Sequence, residues 1–201
     1  LENEEQPMTF KVPSYPRPKI KNASGPYSSN GKKVDIIDCI IGSEGIYGMI
    51  TRCNLKAKLK PKGYLDLFLS LKSEDEALDF YNNLSEYLEG NLSILTALEY
   101  FGYNCQKYMK HKDHFFQSKN EVGIYMQIPI DNSFDKTCLE WTKAINSFKM
   151  SIDDRSIFVL NDKSQCEIFF EARHSIPVNA LERSKELNGK GIITDTIVPA
   201  N

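Results

Sequence analysis

The stretch YLDLFLSLKSEDEALDFYNNLSEYLEG, residues 64–90, changes periodicity at a single polar hinge. Tyr64 to Leu71 is a short, largely apolar run of strand length. Ser73, followed three residues later by Glu76, makes a capping box in which two orphan N–H groups of a helix start are satisfied reciprocally. Beyond it Ala77, Phe80, Tyr81, Leu84 and Leu88 fall on one helical face, and Gly90 supplies the stop. Residues 64–90 therefore read as a strand followed by an amphipathic helix.

Downstream the same logic continues. Ile94 to Tyr100 reads as a weaker strand, and Gly102 to His111 as a short helix. EVGIYMQIPI, residues 121–130, is a strand whose Pro129 requires an edge or a bulge near its end. Residues 132–148 form a helix with Phe134, Leu139, Trp141, Ile145 and Phe148 on its buried side, and Ser156 to Leu160 a short strand. Asp162 is an N-cap for a last helix holding Cys166, Phe169, Phe170 and Arg173. This order suits an α+β class, an antiparallel sheet with helices on one face, of the ferredoxin-like kind.

Upstream the texture differs. Pro7, Pro13, Pro16 and Pro18 repeatedly remove a backbone donor at fixed φ, so residues 1–21 read as an extended arm. Residues 22–33, NASGPYSSNGKK, are turn chemistry. Val34, Ile36, Ile37, Ile40 and Ile41 suit a short helix or a buried strand equally. From Gly48, the residues Met49, Thr51, Cys53, Leu55, Ala57 and Leu59 alternate with Ile50, Arg52, Asn54, Lys56, Lys58 and Lys60, the pattern of a strand with one wet face, ended by Pro61.

The totals narrow the function classes. With 201 residues, 25 Lys and Arg against 27 Asp and Glu, and a net charge of -2, the chain can bury a core but carries no field that would draw nucleic acid. The five cysteines are scattered without a Cys-x-x-Cys pair, which suits free thiols in a reducing, cytoplasmic compartment; peripheral attachment at an inner membrane is the alternative. No run approaches the roughly 18 to 20 apolar residues of a membrane span. Because the chain begins at Leu1, it is expected to be an excerpt of a longer protein.

One stretch carries chemistry. In CIIGSEGIYGMIT, residues 39–51, Gly42 and Gly45 bracket Ser43 and Glu44, and Gly48 follows. Glycine is needed where φ is positive or where another body approaches the main chain closely. Either use leaves amides free to meet anionic oxygen, with the Ser43 hydroxyl as a further donor. Glu44 would repel a phosphate, so its carboxylate is expected to turn aside and hold backbone amides or a ring-edge donor.

GSEGIYGMIT resembles, almost letter for letter, the Gly-Ser-Glu-Gly-Thr-Leu-Gly-Ile-Ile-Thr signature of FAD-linked oxidases and dehydrogenases of the vanillyl-alcohol oxidase type, the group that includes D-lactate dehydrogenase and the glycolate oxidase D subunit. KNASGPYS, residues 21–28, resembles that family's Lys-x-Asn-Thr-Gly-Tyr loop. EARHSIPV, residues 171–178, and TDTIVP, residues 194–199, resemble its arginine segment and its Asp-x-x-x-Pro strand. The likeness spans most of the chain, and only the first motif is highly specific.

The resemblance implies that residues 22–59 are the C-terminal part of an FAD-binding domain and residues 60–201 a substrate or cap domain, incomplete at its C-terminal end. It implies that Gly42, Ser43, Glu44, Gly45, Gly48, Ile50 and Thr51 contact FAD, and that Arg173 grips the carboxylate of a small 2-hydroxy acid such as D-lactate or glycolate. An electron acceptor, either a fused iron–sulfur domain or a separate subunit, is implied too. Ile46 and Tyr47 depart from the family's Thr-Leu, Pro26 interrupts its Gly-Tyr step, and Ile193 stands where the hydroxyglutarate-type members have a lysine. The family's first phosphate loop and its paired histidines are expected outside this excerpt, which alone is expected to be inactive. The rival expectation is a non-enzymatic ferredoxin-like binding module whose GSEG turn is structural.

Other residues have plainer readings. His111 and His114 have metal-compatible spacing but no further ligand, and suit a polar loop. His174 reads as a surface histidine at a helix end. Arg173 alone could equally be a helix-end arginine meeting a surface carboxylate. Trp141 and the aromatics of residues 125–128 and 168–170 read as core.

Overall fold

The computed structural model describes residues 12–20, 25–131, 133–150 and 152–194. The chain divides into two compact units, Leu1–Ala57 with Ile192–Asn201, and Lys58–Gly191.

The second unit is built from strands β1 (Gly63–Leu71), β2 (Ala97–Phe101), β3 (Val122–Ile130) and β4 (Ile157–Val159). Their order in the sheet is β2-β3-β1-β4, and every neighbouring pair is antiparallel. Helix α2 (Glu74–Tyr87) connects β1 to β2, and α4 (Phe134–Ser147) connects β3 to β4. Strand–helix–strand–strand–helix–strand with this spatial order is the split βαβ, or ferredoxin-like, arrangement. The expected α+β class is the one observed.

Register explains the two cores. Leu65, Leu67, Leu69 and Leu71 pair with Ile128, Met126, Ile124 and Val122 and point to one face. There Ala77, Phe80 and Leu84 of α2 and Trp141 and Ile145 of α4 meet them. Phe68 and Tyr125, also paired, point to the other face. That face is covered by α5 (Lys163–Glu186) through Phe169 and Ala172, together with Phe101, Met109, Phe115 and Phe116. Helices α2 and α4 thus form the one-sided layer the sequence suggested, and α5 adds a second layer opposite. The strand β1 is apolar on both faces because both are covered.

The caps act as anticipated, with one shift. Ser73 Oγ accepts from Glu76 N at 3.2 Å, while Glu76 Oε2 accepts from Lys72 N at 2.9 Å, one residue earlier than a strict capping box. Asp162 Oδ1 accepts from Gln165 N and starts α5. Pro129 lies beyond the stretch of β3 that β2 covers, so its missing N–H breaks no ladder on that side.

Four readings are corrected. Residues 49–60 form no strand: they pair with nothing among the described residues, and Met49, Leu55 and Leu59 are 88%, 84% and 98% exposed. Alternation encodes two faces, but a strand also requires a partner edge for its hydrogen bonds. Leu139 is exposed, on the outer side of α4. Residues 102–111 hold a 3-10 segment, Tyr103–Lys107, in place of one helix, and a short α3 (Lys112–Phe115) follows. Helix α5 runs through Pro177, so Arg173 and His174 sit mid-helix and not at its end.

Candidate functional site

The glycine corner lies in the first unit. Asp35 caps α1 (Ile36–Ile40) by accepting from Ile37 N at 2.9 Å. Past Ile41 the chain enters a run of tight turns: Ser43 N donates to Ile40 O, Ile46 N to Ser43 O and Gly48 N to Gly45 O, at 3.0–3.2 Å. Gly42, Glu44, Gly45 and Gly48 all have positive φ, at 74°, 50°, 84° and 127°. Such conformations cost glycine nothing and other residues about 1 kcal/mol or more, so Glu44 is held there at a cost. The turns consume the amides of Ser43, Ile46 and Gly48. Those of Glu44, Gly45 and Tyr47 have no partner among the described residues. Nothing lies within 4 Å of a Cβ built on Gly45 or Gly48, so the main chain there is open.

Next to the corner is a cleft of about 220 Å³, lined by Ser43, Tyr47, Gly48, Ile50, Thr51 and Arg52. Five of the seven residues in the implied flavin set (Gly42, Ser43, Glu44, Gly45, Gly48, Ile50, Thr51) are thus either at the cleft or open above the turn, with Gly42 and Glu44 setting the left-handed bends. The side chain of Glu44 is exposed and holds no amide, contrary to expectation. The loop that resembles the Lys-x-Asn-Thr-Gly-Tyr motif packs nearby. A Cβ on Gly25 would lie 2.9 Å from Asp38 O, and Arg17, which donates to the buried Asp38 carboxylate, stacks 4.6 Å over the Tyr27 ring. Residues 21–24 and the motif residues 195–199 lie outside the described residues.

The second unit carries the arginine. Arg173 Nε donates to Glu99 Oε2 at 2.7 Å and Arg173 Nη2 to Glu99 Oε1 at 2.6 Å, a two-pronged pair about a third exposed on each side. The carboxylate keeps the guanidinium charged and pushes its pKa up. The pair lines an open cleft of about 400 Å³ with Phe101, Cys105, His174 and Pro177. Burial drives the Cys105 thiol up to about 11, so it stays protonated at neutral pH.

A polar network on the same sheet face escaped sequence reasoning. Tyr125 donates to Asp66 Oδ1 at 2.5 Å, and Gln127 Nε2 donates to Asp66 Oδ1 at 3.0 Å and to the Tyr125 hydroxyl at 3.2 Å. Burial, followed by the hydrogen bond to Asp66, raises the Tyr125 pKa well above the ordinary tyrosine range. The signal was present: Asp66, Glu99 and Gln127 are polar breaks inside otherwise apolar strands, and a register on paper would have put them on one face.

The histidines do not converge. His111 Nε2 lies 3.1 Å from Glu171 Oε2, His114 packs edge-on to Phe115, and His174 stacks on Phe170. Among the described residues no cluster of three or more His, Cys, Asp or Glu could hold a metal ion, and no helix is long and apolar enough to cross a membrane. No protein-family model and no curated protein matches the chain.

Proposed function

We propose that this chain is part of an FAD-dependent oxidoreductase that oxidises a 2-hydroxy acid such as D-lactate or glycolate, passing electrons on to an acceptor that is either a fused iron–sulfur domain or a separate subunit. Residues 22–59 contribute to flavin binding and residues 60–201 to substrate binding. The observation that carries the reading is the corner at Gly42–Gly48: turns with positive φ at Gly42, Glu44, Gly45 and Gly48, amides of Glu44, Gly45 and Tyr47 without a partner among the described residues, and open space over two glycines. Amides left without a partner in the protein can donate to an anionic group such as a diphosphate.

The fit is partial by size. About 220 Å³ is below the roughly 300–1,000 Å³ of a typical small-molecule site, so this corner forms one wall for one portion of a dinucleotide. Arg52 at the same cleft adds positive charge for the anion. When bound, the flavin would accept the substrate α-hydrogen as hydride. The residues of this chain supply orientation, with Arg173 holding the carboxylate by paired hydrogen bonds.

The test is anaerobic addition of D-lactate or glycolate to the protein expressed from its complete reading frame. Bleaching of a bound flavin by either acid supports the proposal. A colourless protein, or a flavin that neither acid reduces, contradicts it and favours a binding module with a structural turn.

A further inference from the structure

Arg173 is half used. A guanidinium carries five N–H donors, arranged so that a carboxylate can be gripped along its Nε–Nη2 side or across its Nη1–Nη2 end. Glu99 takes the first of these with both oxygens, at 2.7 and 2.6 Å. Among the described residues nothing accepts from Nη1. A lone arginine on a helix surface would spread over many rotamers, whereas this one is anchored at Nε to a strand carboxylate 74 residues away in sequence. The anchor is itself fixed: Glu99 lies in β2 opposite Tyr125 of β3, on the face that α5 covers. Both partners line the cleft of about 400 Å³, which also holds His174 and Cys105.

We infer that Glu99 is a positioning residue for Arg173: it occupies the Nε–Nη2 side and leaves the Nη1–Nη2 end to receive the carboxylate of a small acid in this cleft. This rests on the proposed role of Arg173 as the substrate-carboxylate clamp and adds the residue that aims it. The contrary picture is that Glu99 imitates the ligand and must be expelled before an acid can bind. The two pictures predict opposite effects of neutralising Glu99. If it aims the fork, its loss weakens binding because the ordering of a long side chain must then accompany each binding event. If it competes, its loss tightens binding by removing a rival anion.

The experiment titrates the isotopically labelled protein, expressed from its complete reading frame, with D-lactate, following the Arg173 side-chain signals by NMR, in the wild type and in Glu99→Gln, Glu99→Asp and Arg173→Met. Circular dichroism checks that each variant is folded. The inference predicts that the Arg173 Nη signals move while the Nε–H signal, held by Glu99, stays in place. It also predicts that Glu99→Gln weakens binding at least fivefold, that Glu99→Asp retains part of it, and that Arg173→Met abolishes it. Unchanged or tighter binding in Glu99→Gln, with Arg173→Met still inactive in binding, overturns the role of Glu99 alone and leaves the clamp standing. Absence of binding to the wild type overturns both the role of Glu99 and the clamp.

Discussion

Gly123 lies under the ring of Phe68: a Cβ built on it would sit 2.4 Å from Phe68 Cζ and 2.7 Å from Cε2. Real Cβ atoms do not approach so closely, and Phe68 has nowhere to go. It is fully buried, with the rings of Phe101, Phe115, Phe116, Phe158 and Phe169 around it at 5.2–6.1 Å. Gly123→Ala is expected to destabilise the unit by about 1–3 kcal/mol through overpacking. Phe68→Leu opens room, so the double variant should lose less than the sum of the two singles, a coupling readable from urea denaturation. Strict additivity would mean that the two positions do not share this space.

The helix starts should behave as caps. Ser73→Ala and Asp162→Ala each remove an acceptor from a first-turn amide, Glu76 N and Gln165 N respectively. Each is expected to cost about 0.5–2 kcal/mol, measured as a shift in denaturation midpoint, and glycine at either position less than alanine.

Tyr125 sets an alkaline limit. Its pKa is raised in the folded chain, first by burial and then by donation to Asp66. The folded state therefore keeps a proton that the unfolded state gives up near pH 10, so its contribution is complete below that pH. Above it, stability is lost progressively as pH climbs toward the raised native value. Tyr125→Phe should flatten this alkaline decline in a series of unfolding curves. A variant that falls as steeply as the wild type would place the effect elsewhere.

The thiols should separate by reactivity. Cys53 is exposed, whereas Cys105 lines the arginine cleft with its pKa driven up to about 11. Only roughly a thousandth of Cys105 is thiolate at about pH 8, so an aromatic disulfide reagent should label Cys53 long before Cys105. Equal rates, resolved by mass spectrometry of the labelled peptides, would contradict the partly buried placement of Cys105.

Residues 64–90 made the fold legible because strand and helix there obey separate, strong local rules: an apolar run, a serine cap and a 3.6-residue stripe. The pattern also carried α4 and the start of α5. It failed where the deciding fact is non-local. Residues 49–60 alternate as cleanly as any strand in the chain, yet alternation cannot supply an edge to pair with. The length of α5 was hidden by Pro177, which a helix tolerates at the loss of one hydrogen bond and a local kink. Of the candidate site, the glycines stood out by their own chemistry, whereas Arg173 stood out only through the family resemblance. Glu99 and the Asp66–Tyr125–Gln127 network did not, because their meaning depends on strand register.

The most direct test of the central claim is the flavin content of the complete protein with and without Gly45→Arg. Gly45 has φ of +84° and nothing within 4 Å of where its Cβ would lie, so arginine there costs about 1 kcal/mol of backbone strain and its Cβ meets no protein atom. The account predicts that the wild type purifies with close to one FAD per chain and that the folded variant purifies with almost none. A variant that keeps its full complement of FAD would contradict the placement of a cofactor against this corner.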